Sequence, residues 1–149
     1  MWVSTKAQYG MRALVEIAIA GDRPTSLKTV ADRLQLSQQY LEQIFAALRR
    51  AGVVDSVRGA HGGYRIARPL DEVDALAVVE LLEGSVAPVS CIDDEDACDR
   101  TGACSTEGLW RDVDAAVREV LRRTTLADLV RQRTFLNIEP LPASFASDA

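Results

Sequence analysis

The most constraining feature of the sequence is a glycine-rich stretch between two strand-like runs. Residues 53–57 and residues 64–68 are rich in β-branched and aromatic side chains, and Arg-Gly-Ala-His-Gly-Gly joins them at positions 58–63. Glycine removes the side chain and permits positive φ, so this stretch can turn tightly and bring its backbone close to a ligand. A short antiparallel hairpin is therefore predicted in the middle of the chain.

The residues before the hairpin carry helical periodicity. Apolar side chains between positions 6 and 20 recur at i, i+3, i+4 and i+7, which is typical of a helix with one buried face. Ser26 and Ser37 are candidate N-caps for two further helices, which only Gln35 and Leu36 separate, and the third helix ends at Gly52. Two short helices across a tight turn, followed by a hairpin, predict a mainly α fold with a winged helix-turn-helix and a two-stranded wing.

The second half of the chain predicts more helices around a cysteine-containing loop. An amphipathic helix with Leu76, Val79, Leu81 and Leu82 ends at Gly84, and a loop at 85–105 holds the cysteines. A long helix begins near Thr106, and Thr125 caps a last short helix. We expect a DNA-binding domain at 1–70, a linker helix, cysteine loop and dimerisation helices at 71–133, and a flexible tail at 134–149.

Charge divides the chain into two unlike halves. Residues 1–70 carry ten basic and five acidic side chains, a net charge of +5, whereas residues 71–149 carry seven and seventeen, a net charge of −10. Dissolved salt screens electrostatic interactions over distances longer than about 10 Å. A basic half can therefore approach a polyanion although the whole chain is acidic. No apolar run reaches the roughly 20 residues of a membrane span, and the first residues do not resemble a secretory signal. We therefore expect a cytoplasmic protein without a membrane partner.

The third helix offers candidate base-reading residues. A helix N-terminus placed in the major groove presents its first side chains to base edges. Gln38 and Gln39 have the paired donor and acceptor that suit adenine, and Glu42 can accept from cytosine. Tyr40 can reach a phosphate, while Arg49 lies at the helix end, where the helix dipole favours a cation without DNA. The alternative for the glutamines is that they are solvated residues of the first turn.

The hairpin offers candidate backbone contacts to DNA. Gly59 and Gly62 allow the chain to lie close to a sugar-phosphate backbone. Arg58, His61 and Arg65 supply charge or hydrogen bonds. A lone histidine in a loop is more often a DNA or solvent contact than a metal ligand.

Three cysteines indicate metal or redox chemistry. Cys91, Cys98 and Cys104 have the spacing Cys-x6-Cys-x5-Cys, and an odd number of cysteines argues against a disulfide framework. The spacing is wider than a zinc knuckle and allows a loop to wrap an iron-sulfur cluster. Cys104 precedes the long helix, whose dipole lowers the pKa of the thiol. Glu107 is the candidate fourth ligand, although an acid in a first helical turn is favoured without any metal.

Four stretches together resemble the Rrf family of bacterial winged-helix regulators. They are Ser-Gln-Gln-Tyr-Leu-Glu-Gln-Ile-Phe at 37–45, Ser-Val-Arg-Gly-Ala-His-Gly-Gly-Tyr at 56–64, the three spaced cysteines and Leu-Trp-Arg-Asp-Val at 109–113. The resemblance covers about residues 3–133. It is stronger to the iron-sulfur cluster regulators of this family than to its nitric-oxide sensors or its cysteine-metabolism regulators.

The resemblance implies a homodimer on a roughly palindromic double-stranded DNA operator. The long helix would form the dimer interface. Its apolar residues recur at intervals of four, three and four, which is typical of a helix that pairs with another helix. The candidate interface residues are Leu109, Trp110, Val113, Ala116, Val117 and Val120. The three cysteines match the family's cluster ligands, and we expect a 2Fe-2S rather than a 4Fe-4S cluster. The iron-sulfur regulators have histidine where this chain has Glu107, and a harder oxygen ligand would hold the cluster less firmly.

Three functional hypotheses follow. The first is a transcriptional regulator whose operator affinity depends on an iron-sulfur cluster that senses redox state, iron or nitric oxide. The second is a cluster-free regulator of the same fold, controlled by thiol oxidation or by a protein partner. The third, a zinc hydrolase, has little support because the chain has no second histidine and no nucleophile motif, and we expect neither catalysis nor a small-molecule substrate.

Overall fold

The computed structural model describes residues 3–136, which form seven α-helices, two β-strands and two short 3₁₀ turns. The elements in chain order are α1 (Thr5–Ile19), α2 (Leu27–Leu34), α3 (Gln38–Arg50), β1 (Val54–Val57), β2 (Gly63–Ile66), α4 (Ala75–Glu83), α5 (Ser90–Asp93), α6 (Glu107–Arg123) and α7 (Leu126–Leu136). The 3₁₀ turns are Leu70–Glu72 and Glu95–Ala97. This arrangement confirms the predicted mainly α winged-helix fold.

Local capping rules explain where α2 and α3 begin. The side chains of Ser26 and Ser37 accept hydrogen bonds from the backbone N–H groups three residues later, as predicted. Between these helices, Gln35 adopts a left-handed conformation with φ of 55°. Its side chain donates to the carbonyl oxygen of Asp32 at 2.7 Å, which stabilises the turn of the helix-turn-helix.

The wing is an antiparallel hairpin with an additional bridge. Val54 pairs with Ile66 and Val57 with Gly63, so residues 58–62 form the loop. Thr25, just before α2, exchanges two backbone hydrogen bonds with Tyr64, of 2.9 and 2.8 Å. A Cβ atom on Gly63 would lie 2.4 Å from the carbonyl carbon and oxygen of Thr25, so only glycine fits there. The wing is therefore attached to the start of α2.

One hydrophobic core joins α1, α3 and α4. Its largest fully buried side chains include Phe45, Leu14 and Ile44. A Cβ atom on Gly10 of α1 would lie 2.5 Å from Leu82 Cδ1 of α4 and 3.2 Å from Ile44 Cγ2 of α3. The three helices thus pack closely at Gly10. A displacement of α4 would therefore change its packing against α1 and α3.

The second half of the chain differs from the sequence predictions in detail. Leu81 is 38% exposed, whereas Leu76, Val79 and Leu82 of the same helix are buried. The predicted loop at 85–105 contains the short helix α5 and a 3₁₀ turn. Helix α7 begins after Thr125, whose hydroxyl accepts from the N–H of Asp128 at 3.2 Å, and it continues to Leu136. The rest of the predicted tail lies outside the described residues.

A buried carboxylate connects α7 with the first two helices. Glu16 of α1 has a side chain that is only 8% exposed, and it lies 3.6 Å from Arg33 of α2 and 3.3 Å from Arg133 of α7. Two arginines around one buried carboxylate satisfy its charge. No helix within residues 3–136 has the length and apolar character needed to cross a membrane.

Candidate nucleic-acid interface and cysteine segment

The first turn of α3 presents polar side chains to solvent. Gln38, Gln39 and Glu42 are exposed, and the Gln38 amide donates to Glu42 Oε1 at 3.3 Å. Gln39 has no side-chain partner among the described residues, so its donor and acceptor are both available. These positions suit the predicted contacts to base edges, and the contacts themselves remain a prediction.

Tyr40 is less exposed than Gln38 and Gln39, the residues before it. Its ring is half-buried, packs against the core and meets Tyr9 edge-on, with the ring centroids 6.2 Å apart. The ring therefore fixes the start of α3 on α1. Its predicted contact with a phosphate is untested.

The wing loop is exposed and sterically restricted to glycine. Arg58, Gly59, His61 and Arg65 are exposed, and Gly59 has φ of 114°. A Cβ atom on Gly62 would lie 2.1 Å from the carbonyl oxygen of Val57. The two predicted glycines thus have conformational and steric reasons to be glycine, and the loop can approach another backbone closely.

The start of α3 and the wing loop form one surface, here called the helix-wing surface. An open cavity of about 380 Å³ separates them. Gln38 and Glu42 line one side of it, and Gly59 and Gly62 line the other. The fold therefore brings together two sets of residues that were predicted separately.

The cations of the N-terminal half are largely unpaired. Among the arginines and lysines of residues 3–70, only Lys28 and Arg33 form ion pairs. Arg49, Arg58 and Arg65 are exposed and have no acidic partner within residues 3–136. By contrast, five arginines of the C-terminal half are paired: Arg111, Arg118, Arg122, Arg131 and Arg133. Of these free cations, Arg58 lies in the wing loop and Arg65 on the adjoining strand β2, where they can meet phosphates, whereas Arg49 lies at the far end of α3.

The cysteines lie in a stretch with little packing, here called the cysteine segment (residues 87–106). None of its side chains is fully buried; Cys91 and Cys104 are half-buried, and Cys98 is exposed. All three thiols are free. Within the described residues, no three His, Cys, Asp or Glu side chains lie together as a metal site. The donor set suits an iron-sulfur cluster chemically, but the segment must rearrange to gather it.

Cys104 lies shortly before α6 and contacts Thr106. Its Sγ atom lies 3.3 Å from Thr106 Oγ1. This hydroxyl, followed by the backbone N–H of Thr106, lowers the pKa of the Cys104 thiol. The predicted direction is confirmed, but the largest cause is a specific hydrogen bond rather than the dipole of α6.

Glu107 uses both carboxylate oxygens within the protein. Oε1 accepts from Arg111 Nε at 3.0 Å and Nη2 at 2.6 Å, and Oε2 accepts from the backbone N–H of Gly102 at 2.7 Å. These partners, Arg111 first, lower the pKa of Glu107. Its role as fourth ligand remains a prediction that would require release from both. The pairing of Arg111 with Glu107 was not predicted, although their i,i+4 spacing is a signal for such a pair.

The predicted dimer seam of α6 is only partly covered within the described chain. Leu109 and Val120 are 55% and 48% exposed, and Ala116 is also exposed. Trp110, Val113 and Val117 are half-buried. Another face of α6 packs on α4, where Leu121 contacts the cluster of Leu76, Val79 and Val86. The fold of a single chain therefore covers part of the seam and leaves Leu109, Ala116 and Val120 exposed.

A helix-turn-helix, a glycine-dependent wing and unpaired cations in the wing define a winged-helix DNA-binding protein. The profile of the Rrf2 family, described as an iron-dependent transcriptional regulator, matches residues 3–132. The chain belongs to the Rrf2 family of transcriptional regulators.

Two relatives show the range of this family. The transcriptional regulator CymR of Bacillus subtilis is 42% identical over 87% of this chain and 89% of its own length. Its structure, titled as that of the global cysteine regulator, has a TM-score of 0.75 at 41% identity, and covers 89% of this chain and 98% of that one. The structure of T. potens IscR has a TM-score of 0.74 at 37% identity, and covers 93% and 92%. The similarity to CymR is at least as high as the similarity to IscR. The expected stronger resemblance to the iron-sulfur regulators than to the cysteine regulators is therefore not supported.

These relatives also decide between regulation and catalysis. They are transcriptional regulators rather than enzymes. The zinc-hydrolase hypothesis is thereby removed, and the choice left is between two ways of controlling DNA binding.

Proposed function

We propose that this protein is a homodimeric transcriptional regulator whose operator affinity is set by an iron-sulfur cluster at Cys91, Cys98 and Cys104. The observation that carries the proposal is the placement of three free thiols in one segment without a fully buried side chain. Such a segment can rearrange around a ligand at little cost in packing. The iron dependence in the description of the matching family supports it.

On the DNA side, the proposal assigns separate roles to the two parts of the helix-wing surface. Gln38, Gln39 and Glu42 read base edges, while Arg58 and the wing backbone contact phosphates. The exposed apolar residues of the α6 seam, Leu109 and Val120, support pairing of two chains, which would place two such surfaces on a roughly palindromic operator.

On the sensing side, the thiolates are the soft ligands that iron in such clusters prefers. A bound cluster, with two irons as the favoured form, would supply a centre that responds to redox state, iron or nitric oxide. Glu107 is proposed as the fourth ligand once it leaves Arg111 and the Gly102 N–H. An oxygen ligand held by a competing arginine suits a centre that is readily lost.

The test compares operator affinity with and without the cluster. Protein prepared anaerobically should show visible absorption and contain iron and sulfide, and Cys98→Ala should remove all three signals. Since Cys98 is exposed, its loss should leave the fold intact, and Ser105→Ala is the matched control in the same segment. Loaded and stripped protein should differ in operator affinity by about 5 to 150-fold, the usual range of allosteric coupling. Equal affinities at the same salt concentration would refute the proposal.

A second candidate is control by the thiols themselves or by a protein partner. The observations that favour it are the similarity to a cysteine regulator and the lowered pKa of the half-buried Cys104 thiol, which favours the reactive thiolate. In this case, iron-free protein treated with hydrogen peroxide should change its operator affinity, and Cys104→Ser should abolish that change. Regulated binding that survives serine at all three cysteines would favour a protein partner.

A further inference from the structure

One arginine connects the cysteine segment with two packed helices. Arg118 of α6 donates through Nη1 to Glu80 of α4 at 2.5 Å and through Nε to Asp114 of α6 at 2.9 Å. Its Nη2 atom lies 3.7 Å from Asp93 Oδ1 of α5. Three carboxylates from three helices thus surround a single guanidinium.

Asp93 makes this cluster sensitive to the cysteines. It lies two residues from Cys91 on the one-turn helix α5, and both residues therefore move together. Among the ion pairs of residues 3–136, Asp93 with Arg118 is the only one that includes a residue of the cysteine segment. A rearrangement that gathers or modifies the thiols must therefore shift Asp93 relative to Arg118.

The cluster also contains a second acceptor for the arginine. Nε and Nη2 lie on the same edge of the guanidinium, the edge that forms two parallel hydrogen bonds with one carboxylate. Asp114 Oδ2 already occupies Nε, and Asp114 Oδ1 is buried without a hydrogen-bond partner in the described structure. If Asp93 withdraws, Nη2 can turn to Asp114 Oδ1. The cluster can thus adopt a second arrangement, as energetic coupling between sites requires.

Helix α4 provides the connection to α3. Glu80 and Leu82 lie on α4, and the side chains of Leu82 and of Ile44 on α3 both pack closely against Gly10 of α1 in one buried cluster. Because tightly packed elements do not deform independently, a change in how Arg118 holds Glu80 is passed to α3.

We propose that Arg118 is the positioning residue through which the cysteine segment changes the placement of α3 on DNA. The proposal rests on the proposed function, because it requires operator affinity to depend on the state of the cysteines. It adds the route: Asp93 on α5, Arg118 on α6, Glu80 on α4 and then α3.

The test is the ratio of operator dissociation constants between two preparations. One preparation is metal-free with thiols reduced by dithiothreitol, and the other is incubated anaerobically with ferrous iron and sulfide. Arg118→Gln and Asp93→Asn should bring the wild-type ratio to within about twofold of one, while iron and sulfide content stays at the wild-type level. The exposed Arg122→Gln on α6 and Asp99→Asn in the cysteine segment are matched controls that should keep the wild-type ratio.

Hydrogen exchange gives an independent readout in the metal-free protein. The N–H of Asp94 donates to the carbonyl oxygen of Ser90 and reports on α5. This amide should exchange faster in Arg118→Gln and Asp93→Asn than in the wild type, and at the wild-type rate in both controls. Should Arg118→Gln not fold, Asp93→Asn decides alone, because Asp93 is exposed.

The possible outcomes separate the two proposals. A wild-type ratio near one refutes the proposed function and this inference together. A large wild-type ratio that Arg118→Gln and Asp93→Asn retain refutes this inference only. A merely structural role for Arg118 would weaken operator binding equally in both preparations, would leave the ratio unchanged and would count against the inference.

Discussion

The attachment of the wing to α2 gives the most direct test of the fold. In Gly63→Ala, the new Cβ atom would lie 2.4 Å from the carbonyl carbon and oxygen of Thr25. The backbones must separate, which breaks the two hydrogen bonds between Thr25 and Tyr64. We therefore expect the wing to move away from the start of α2, with lower stability and weaker operator binding.

The size of the effect follows from two contributions. Two backbone hydrogen bonds contribute about 1 to 3 kcal/mol together. Gly63 also has φ of 150°, a conformation that costs a residue with a side chain about 1 to 3 kcal/mol. The expected decrease in the free energy of unfolding is therefore about 2 to 6 kcal/mol.

Urea unfolding at constant pH measures this decrease, and Gly52→Ala is the control. Gly52 has φ of 74° but no atom within 4 Å of its ideal Cβ position, so the control carries the backbone cost without the contact. Gly63→Ala should lose about 1 to 3 kcal/mol more than Gly52→Ala. If the free energy of unfolding falls equally in both variants, the contact between Gly63 and Thr25 does not hold the wing against α2.

Four further predictions concern individual side chains. Glu16→Gln should lower the free energy of unfolding by about 1 to 3 kcal/mol because two arginines lose a buried anion, and an unchanged urea midpoint would contradict this. Arg58→Ala should weaken binding to any DNA and reduce the salt slope by about 0.9, whereas an unchanged slope would exclude a phosphate contact. Gln39→Ala should weaken operator binding more than binding to random DNA, and equal effects would argue against base reading. The pKa of Asp128 is lowered by hydrogen bonds from Thr125, so its stabilising effect is full above its ordinary value of 3.8 and is lost as pH falls through the lower folded pKa. The melting temperature of Asp128→Asn should therefore fall less steeply with acid than that of the wild type.

The sequence was sufficient for features that depend on neighbouring residues. The caps at Ser26 and Ser37 and the wing glycines follow from local hydrogen bonding and from φ preferences, and the structure has them where they were predicted. The order of these elements then determined the winged-helix fold, since few topologies accommodate it.

Features that depend on distant residues were not predicted. Thr25 pairs with the wing as a single residue and leaves no periodic pattern. Arg133 reaches Glu16 across 117 positions of sequence, so no spacing rule connects them. The exposure of Leu81 likewise depends on which elements cover α4.

The candidate site shows the same division between local and distant information. The sequence identified the residues of the helix-wing surface, because helix starts and glycine loops are local features. It did not indicate that Glu107 is already bound by Arg111 and the Gly102 N–H, or that Arg118 joins three helices. The Glu107 contacts are local, and the i,i+4 spacing of Arg111 was a readable signal, whereas the contact of Arg118 with Glu80 spans 38 positions of sequence and follows no spacing rule.

The pairing of Arg133 with Glu16 also bears on how much of the chain is needed for binding DNA. The family match stops at residue 132, one position before the guanidinium that helps to neutralise the buried carboxylate. A protein shortened at that boundary would keep every family motif and still leave Glu16 with Arg33 as its remaining cation. Arg33 lies in the last turn of α2, directly before the turn that leads to α3. We therefore expect the end of α7 to be needed for a stable helix-turn-helix, and with it for binding DNA.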